Sequence, residues 1–283
     1  MYQQTQFSIQ ELHGADRTLL LPLWARAIET RQPKPLLIDQ CASKIIDELS
    51  RVDGYRITFA EMERNLGLFY RLSQIFRARC LDDEIRTYIK AHPQATIVNI
   101  GAGLDTTFDR VDNGLITWYD LDLPAVMALR RQYLPEGPRR HMVAQSVLDF
   151  SWLDQIGECS HGLIMVACGV LFFFNEDQIK RLFIAIADRF PGCELAFDTM
   201  SRFFLNIANR EVLRQSGMDG RATLCWAVSS ARHIAGWDSR FQVLDEYSMY
   251  SHTPIDPAWD LPCRFRMGFV NFTKGIKIMH FSI

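Results

Sequence analysis

A glycine-rich turn follows the apolar segment Ile97–Ile100, and its residue types are suited to holding a ligand. Gly101 and Gly103 flank Ala102, and Asp105 follows two residues later. Glycine lets the backbone approach a ligand closely because it has no Cβ. The first such turn of an open parallel sheet is the usual place for a bound ligand. Two glycines also occur in ordinary tight turns, so the turn by itself leaves that alternative open.

The ligand predicted at this turn is a nucleoside without phosphates. Thr106 occupies the position of the third glycine in the dinucleotide-binding motif. An acidic residue at position 105 would repel a pyrophosphate at the following helix N-terminus. S-adenosylmethionine (SAM) fits, since it carries a ribose, a sulfonium cation and an amino acid group. The Asp105 carboxylate could pair with the ammonium of SAM or cap the helix, and the two roles are compatible.

Two carboxylates, Asp120 and Asp122, end the next apolar run and could bind the ribose. Dinucleotide folds place such a carboxylate about twenty residues after the glycines. One carboxylate accepts two hydroxyl donors well because it has two oxygens. Strand alternation places both side chains on the same face. One of them could instead cap the helix that starts at Pro124, a suitable first helical residue. We favour Asp122 as the ribose ligand.

Hydrophobic periodicity predicts the elements that position these residues. Residues 14–92 repeat apolar positions at helical spacing. Short apolar runs then alternate with helical patterns, which is typical of parallel strands joined by helical crossovers. The predicted strands are Thr96–Ile100, Ile116–Asp120, His141–Gln145, Leu163–Cys168, Glu194–Asp198, Phe241–Tyr250 and Gly275–Ile283. The predicted helices after residue 95 are Thr106–Val111, Ala125–Tyr133, Ser151–Ile156, Glu176–Phe190 and Ser201–Gln215.

Composition excludes several functional classes. The 283 residues include 31 basic and 33 acidic side chains, so no basic excess points to nucleic acid. No apolar run reaches the roughly 18 residues of a membrane span, and residues 1–10 do not look like a signal peptide. The seven cysteines form no CxxC pair, and the histidines lack metal-ligand spacing. We therefore expect a cytoplasmic protein without a structural metal.

Several segments together resemble the leucine carboxyl methyltransferase family, which also includes tetracenomycin-type polyketide O-methyltransferases. The glycine turn and the segment around Asp122 are the most specific part of this resemblance. The match extends in order over roughly residues 16–200. The similar segments are Thr18–Ala27, Pro35–Ile46, Arg77–Asp83 (the family's R-x-R-x-x-D-D), Asn99–Phe108, Tyr119–Pro124 and Cys168–Gln178 (its E-G-V-L-M-Y-L stretch).

The resemblance implies an α/β fold with a doubly wound, mostly parallel seven-stranded Rossmann-like methyltransferase sheet. A single domain would comprise an N-terminal helical extension (1–93), a SAM-binding core (94–200), and a helical cap with the last strands (201–283). It also implies that Arg77 binds the methionine carboxylate of SAM, that the turn around Gly101 lines the methionine portion, and that Asp122 holds the ribose. Guanidinium groups bind carboxylates in a bidentate fork. Alternatively, Arg77 could lie on a solvated helix face beside acidic neighbours.

The chain departs from the family pattern at two positions. Cys168 stands where the family carries glutamate, and Ser146 replaces the first acid of a D-L-x-D motif near the adenine. Ser146 or the backbone N–H of Val147 could still contact the adenine. These departures keep open a SAM-binding protein that transfers no methyl group. A nicotinamide-dependent oxidoreductase is a further alternative, against which Thr106 argues.

The predicted function is SAM-dependent O-methyl transfer to a carboxylate or hydroxyl of a small molecule. A carboxylate acceptor is already ionised at neutral pH, whereas a hydroxyl needs a general base. The candidate bases are His233, Tyr247, Tyr250 and His252. The aromatic residues that could line an apolar acceptor pocket, or else pack in the core, are Phe173, Trp226 and Trp237.

Overall fold

A seven-stranded sheet organises the chain, of which the computed structural model describes residues 16–212 and 223–283. The strand order is β3-β2-β1-β4-β5-β7-β6, and β7 runs antiparallel to both of its neighbours while the other pairs are parallel. This topology confirms the predicted fold class. The strands are β1 (Thr96–Ile100), β2 (Thr117–Asp122), β3 (Arg140–Ala144), β4 (Leu163–Ala167), β5 (Glu194–Met200), β6 (Gln242–Ser248) and β7 (Ile276–Ser282).

The central strands are covered on both sides, which explains their continuous apolar sequences. Every residue of β1 and of β4 is buried, as is expected for parallel strands between two helical layers. The helices are α1 (Asp16–Thr30), α2 (Gln40–Leu49), α3 (Asp53–Asn65), α4 (Leu68–Ala91), α5 (Thr107–Val111), α6 (Pro124–Tyr133), α7 (Glu176–Arg189), α8 (Arg202–Ile207), α9 (Ala231–Ala235) and α10 (Leu261–Thr273). Short 3₁₀ turns cover Phe150–Gln155 and Leu171–Phe173, and a π-helical turn covers Ala208–Val212.

The N-terminal extension is helical, as its periodicity predicts. Helix α1 continues through Pro22, and it packs against α2 and α4. Helix α4 ends at Ala91, directly before His92-Pro93, because a residue that precedes proline disfavours the helical region. The predicted helix Ser201–Gln215 is observed as α8 and the π-helical turn, and residues 213–215 lie outside the described residues.

Helix α10 has no counterpart among the predicted elements. Its inward side buries Met267 and Val270, but its outward side is also apolar. Phe265 is 77% exposed and Phe272 is 89% exposed. Since apolar residues occur on both sides of the helix, no amphipathic period marks it in the sequence.

Within the two described ranges, no helix is long and apolar enough to cross a membrane.

A buried ion network joins the extension to the sheet. The Arg110 guanidinium lies 2.8 Å from Asp39 Oδ2 and binds Asp82 through two contacts of 2.8 Å each. The side chains of Arg110, Asp39 and Asp82 are only 5%, 1% and 2% exposed. Asp39 caps α2, Asp82 belongs to α4, and Arg110 belongs to α5. Three elements therefore meet at one guanidinium.

We expect Arg110→Met to lower the free energy of unfolding by roughly 3–5 kcal/mol, because it removes the bidentate partner of the buried Asp82 carboxylate and one of the two guanidiniums that bind Asp39. Denaturant-induced unfolding measures this loss. Arg189→Met is the matched control, since it removes an exposed pair with Asp154 and should cost no more than about 1 kcal/mol. Equal losses in the two variants would contradict a structural role for the network.

A second, partly buried ion cluster lies on β7, towards the other edge of the sheet. His280 on β7 lies between two carboxylates, with Nδ1 2.9 Å from Glu84 Oε2 and Nε2 2.7 Å from Glu194 Oε2. Burial alone would lower the His280 pKa, but hydrogen bonds to Glu194 and Glu84 outweigh it and raise the pKa to about 9. The imidazolium thus connects α4 to the sheet.

This raised pKa predicts a pH dependence of stability. The stabilisation is complete below the unfolded-state pKa of about 6.5 and is lost as the pH rises through about 9. We expect unfolding free energies to fall by roughly 2–3 kcal/mol between those limits. In His280→Gln most of this fall should be absent. Denaturant-induced unfolding at several pH values measures this fall. If the unfolding free energies of wild type and His280→Gln fall equally with pH, the assigned role of His280 is wrong.

Candidate functional site

A cavity of about 320 Å³ opens where the carboxyl ends of the central strands meet. Ligands of open parallel sheets bind at this edge. Most of the residues that the sequence predicts for cofactor binding line this cavity. They are Arg77, Gly101, Ala102, Gly103, Asp105, Asp122 and Cys168.

The glycine turn forms the floor of the cavity. The backbone N–H groups of Gly101 and Ala102 both donate to the Leu121 carbonyl, at 2.8 and 3.1 Å. Gly101 has φ +67°, and a Cβ there would lie 2.4 Å from Val170 Cγ2. Both the backbone conformation and the lack of space therefore require glycine at this position. Val170 itself lines the cavity, so this contact also shapes the binding space.

The Asp122 carboxylate is held at the cavity wall by backbone donors. Its Oδ2 accepts the Gly103 N–H at 2.7 Å, and its Oδ1 accepts the Leu123 N–H at 2.7 Å. Burial raises the pKa of this carboxyl although both N–H groups act against the rise. Each oxygen keeps a further lone pair. The group can therefore accept two more hydrogen bonds, as a vicinal diol requires.

Asp120 lies elsewhere, although strand alternation puts it on the same face. Its carboxylate is fully buried and accepts hydrogen bonds from Arg130 at 2.7 Å, Trp118 at 2.8 Å and Asn99 at 3.1 Å. Asp120 is not among the cavity residues. The structure corrects its predicted role, because these donors already occupy both oxygens. Asp122 alone remains the predicted ribose ligand.

Arg77 projects from α4 into the cavity and faces a carboxylate on β5. Its Nη1 lies 3.4 Å from Asp198 Oδ2, and Asp198 Oδ1 accepts the Gly169 N–H at 2.6 Å. Arg77 also donates to Gln74, while its buried Nε has no partner. The solvated-face alternative for Arg77 does not hold, since Asp82 binds Arg110 instead.

Burial and mutual attraction both shift the pKa values of Arg77 and Asp198. Burial acts to lower the Arg77 pKa, but the Asp198 carboxylate outweighs it and raises that pKa. Burial raises the pKa of the Asp198 carboxyl, and the Arg77 guanidinium opposes that rise. The loose 3.4 Å contact leaves donor capacity on Arg77 for a ligand carboxylate.

Cys168 lies beside this pair at the end of β4 and lines the cavity. Burial raises the pKa of its thiol to about 12, and the Arg77 guanidinium only partly offsets the rise. A thiol with that pKa stays protonated at neutral pH. Cys168 is therefore no activated nucleophile.

Of the two roles that the sequence leaves open for Asp105, the structure shows the hydrogen bond to the following helix, and the contact with the ammonium of SAM stays a prediction. Its Oδ2 accepts the Thr107 N–H at 3.0 Å, which supports the first turn of α5. Its Oδ1 lies 3.7 Å from both Arg26 Nη1 and Arg110 Nη2. Burial opposes ionisation, but Arg110 and Arg26 hold the Asp105 pKa well below its usual range. The cavity thus contains an ionised carboxylate at this point.

Ser146 and Val147 follow β3 and lie outside this cavity. The Ser146 hydroxyl accepts the Leu148 N–H at 3.3 Å, and the Val147 carbonyl accepts the Trp152 indole N–H at 3.0 Å. Val147 belongs to the core on that side of the sheet. Their contacts to the adenine stay a prediction.

None of the four candidate bases lines the cavity. His233 is exposed and lies 3.0 Å from Glu176. Tyr247 stacks on His252 with ring centroids 4.4 Å apart, and Tyr250 is buried against α4. Although these residues belong to the last third of the chain, which was expected to cover the site, their side chains do not reach the cavity.

The remainder of the lining is mostly apolar. Phe173 lines the cavity, as predicted, whereas Trp226 and Trp237 pack in the hydrophobic core. The charged lining residues adjoin the glycine turn and Arg77, and we call this the charged end. The first turn of α4, which carries Phe69 about two helical turns before Arg77, belongs to what we call the apolar end. The larger apolar side chains of the lining are Leu21, Phe69, Phe172, Met200, Phe204 and Met249.

Six polar lining residues were not among the predicted ligands: Arg26, Tyr70, Ser73, Gln74, Asn99 and Asp198. Asp198 belongs to a predicted strand, so the rule that ligands bind at carboxyl ends of strands could have found it. Asn99 belongs to the β1 segment that precedes the glycines. Arg26 and Tyr70 lie on helices of the extension, where nothing in the sequence distinguishes them from packing residues.

We expect Gly101→Ala to weaken SAM binding, because the new methyl group would displace Val170 into the cavity. Gly114→Ala is the matched control, since Gly114 also has a positive φ of 83° but has open space around its Cβ position. Both variants should lose roughly 1–2 kcal/mol of stability from backbone strain. Calorimetric titration with SAM should show reduced affinity only for Gly101→Ala, and equal affinities would contradict the assigned role of the turn.

Solved structures show the same fold. A candidate methyltransferase from Thermobifida fusca superposes with a TM-score of 0.57 at 15% identity, covering 91% of this chain and 93% of that chain. A DUF574 family protein from Streptomyces avermitilis gives 0.55 at 14% identity, covering 91% and 96%.

Sequence comparisons show the family. The tetracenomycin polyketide synthesis O-methyltransferase TcmP of Streptomyces glaucescens is 28% identical over 240 residues, which cover 84% of each chain. The SAM-dependent methyltransferase dpfgK of Gibberella zeae is 27% identical over 259 residues, covering 84% of this chain and 85% of that protein. The leucine carboxyl methyltransferase pattern matches residues 20–187, more than half of the chain. Because that match includes the glycine turn, Asp122 and Cys168, the chain belongs to the leucine carboxyl methyltransferase family and is a SAM-dependent methyltransferase.

Proposed function

We propose that this methyltransferase transfers the methyl group of SAM to an oxygen atom of an apolar small molecule. The observation that carries the proposal is the division of one cavity into a charged end and an apolar end. The charged end suits the amino acid and ribose of SAM. The apolar end suits an acceptor that is bound mainly by hydrophobic contact.

The charged end supports SAM over a dinucleotide. Its lining contains the guanidiniums of Arg26 and Arg77 and the carboxylates of Asp105, Asp122 and Asp198. Carboxylates thus outnumber cations, which favours a sulfonium and an ammonium group and disfavours a pyrophosphate. We infer that Arg77 holds the methionine carboxylate, that Asp105 faces the ammonium, and that Asp122 holds the ribose. The nicotinamide alternative loses support for the same reason.

The apolar end supports an aromatic or alicyclic acceptor. Phenylalanine side chains from α4, α8 and the segment after β4 form its walls, together with Met200 of β5 and Met249 after β6. The printed name of TcmP describes a polyketide O-methyltransferase, and a polyketide-like acceptor would fit walls of this kind.

The catalytic task of the protein is orientation. Bound SAM supplies an activated methyl group on a cationic sulfur, so the cofactor carries the difficult chemistry. The protein must align the acceptor oxygen with that methyl group and exclude water. Orientation of this kind can contribute on the order of 7–11 kcal/mol. The buried charged residues and the apolar walls suit the two halves of that task.

The test is methyl transfer from isotopically labelled SAM to a panel of apolar carboxylic acids, phenols and alcohols, with amines of the same skeleton as controls. We expect SAM to raise the melting temperature, NAD to leave it unchanged, and label to enter oxygen acceptors alone. Label in the amines would contradict O-methylation. SAM binding without transfer to any acceptor would support the non-catalytic alternative.

In the same assay, Asp122→Ala should weaken SAM binding by roughly 1.5–3 kcal/mol, the loss expected for hydrogen bonds to a charged group. The dissociation constant would rise on the order of 10- to 150-fold. Asp188→Ala is the control, because Asp188 is an exposed carboxylate on α7 that pairs with Arg240. Unchanged affinity in Asp122→Ala would refute the ribose assignment.

A further inference from the structure

One face of α4 lines the cavity from its charged end to its apolar end. Tyr70, Ser73, Gln74 and Arg77 follow one another at helical spacing, and all four are lining residues. Arg77 follows Tyr70 by seven positions, which corresponds to about 10 Å along the helix axis. This face therefore sets the distance between the ligand groups that bind at either end.

The distance from Arg77 identifies what lies beside Tyr70. This step rests on the proposed function, in which Arg77 holds the methionine carboxylate. Three carbon–carbon bonds and one carbon–sulfur bond separate that carboxylate from the sulfonium, and the methyl group and the acceptor oxygen follow. Tyr70 is thus placed beside the acceptor rather than beside SAM.

Tyr70 can only accept a hydrogen bond from that acceptor. Its hydroxyl donates to Glu211 Oε2 in the π-helical turn after α8. A phenol has a single proton to donate, so the remaining capacity of the oxygen is as an acceptor. A hydroxyl group can supply such a donor, whereas an ionised carboxylate has no proton to donate.

The hydroxyl of Ser73, the other hydroxyl group on this face of α4, already has hydrogen-bond partners within the protein. Ser73 Oγ donates to the Phe69 carbonyl at 2.8 Å and shares a 2.7 Å hydrogen bond with the Tyr250 hydroxyl. Because the only hydroxyl proton of Ser73 is donated to the Phe69 carbonyl, Tyr250 is the donor in the second hydrogen bond. Ser73 has no proton left for a ligand.

We propose that the methyl acceptor is a hydroxyl compound, a phenol or an alcohol, whose proton passes through Tyr70 to Glu211. Tyr70 is then a catalytic residue that contacts the acceptor. Glu211 acts through Tyr70 and is a positioning residue that also receives the proton. The Arg266 guanidinium lies 5.5 Å from the Tyr70 ring centroid, where it favours negative charge on the tyrosine oxygen during transfer.

The step balances as follows. The acceptor oxygen forms a bond to the methyl carbon, and the carbon–sulfur bond breaks, with its electron pair neutralising the sulfonium. The acceptor proton moves to Tyr70 Oη as the Tyr70 proton moves to Glu211 Oε2, and water later removes it. Burial and the Glu211 contact raise the Tyr70 pKa to about 12. Tyr70 therefore starts protonated, so the two proton movements must be coupled.

The experiment compares two acceptors on one skeleton, a phenol and the corresponding carboxylic acid, in wild type, Tyr70→Phe and Glu211→Gln. Wild type should methylate the phenol and leave the carboxylic acid unmodified. Tyr70→Phe should lower kcat on the phenol by roughly 10²–10³-fold, the usual contribution of a positioned proton acceptor. Calorimetry should show SAM affinity within about twofold of wild type. Tyr88→Phe, on the same helix but outside the cavity lining, is the control and should keep full activity.

The pH profile separates proton transfer from a structural role. The defects of Tyr70→Phe and Glu211→Gln should shrink as the pH approaches the pKa of the phenol, because an ionised acceptor needs no base. A defect of constant size at all pH values would overturn the proposal, as would preferred methylation of the carboxylic acid or unchanged activity in Tyr70→Phe. SAM binding without transfer to any hydroxyl compound also counts against it. Failure of wild type to bind SAM would instead refute the proposed function.

Discussion

The buried carboxylate of Asp39 is the constraint on which the site depends. Its Oδ2 binds Arg26 and Arg110, each at 2.8 Å, while its Oδ1 accepts the Ala42 N–H at 2.8 Å and caps α2. A charge removed from water is tolerated only when its partners compensate the lost solvation. Arg26 comes from the N-terminal extension and Arg110 from the sheet side. The extension must therefore close on the sheet for this carboxylate to be buried.

The same arginines determine the charge at the cavity. Arg26 and Arg110 each lie 3.7 Å from Asp105 Oδ1, so the network that closes the fold also keeps Asp105 ionised beside the ligand. Across the floor, the Gly103 N–H holds Asp122 at 2.7 Å. Two acidic groups are thus positioned before any ligand binds. Such preorganisation lowers the cost of ordering the site when the cofactor arrives.

Sequence patterns predict the parts of this site that local chemistry determines. Continuous apolar runs predict the central strands β1 and β4 because these are buried on both faces, and the alternation of Ile276, Ile278 and His280 predicts the antiparallel strand β7. The glycine turn is predictable because only glycine permits its backbone geometry. Long-range pairing is not visible in the same way. Asp198 meets Arg77 across 121 positions of sequence, and nothing near either residue indicates the other.

Similar local patterns can also have different surroundings. Asp120 and Asp122 have the same alternation in β2, yet Asp120 is saturated by core donors while Asp122 keeps free lone pairs at the cavity. The surroundings come from β1, β3 and α6, which periodicity does not position in three dimensions. Helix α10 escapes prediction for another reason. Its exposed face is apolar like its buried face, so the sequence shows no alternation of apolar and polar residues at helical spacing.

The replacement of the family glutamate by Cys168 becomes understandable from the neighbouring strand. The Cys168 thiol is neutral, since burial raises its pKa to about 12, and it supplies no charge to balance Arg77. Asp198 on β5 does supply one, with Oδ2 3.4 Å from Arg77 Nη1 and Oδ1 held by the Gly169 N–H. A carboxylate on the adjacent strand end can thus serve the guanidinium that an acid at position 168 would otherwise face. The charged end of the cavity therefore keeps a carboxylate beside Arg77 although position 168 is a cysteine, which is consistent with a site that can still bind SAM.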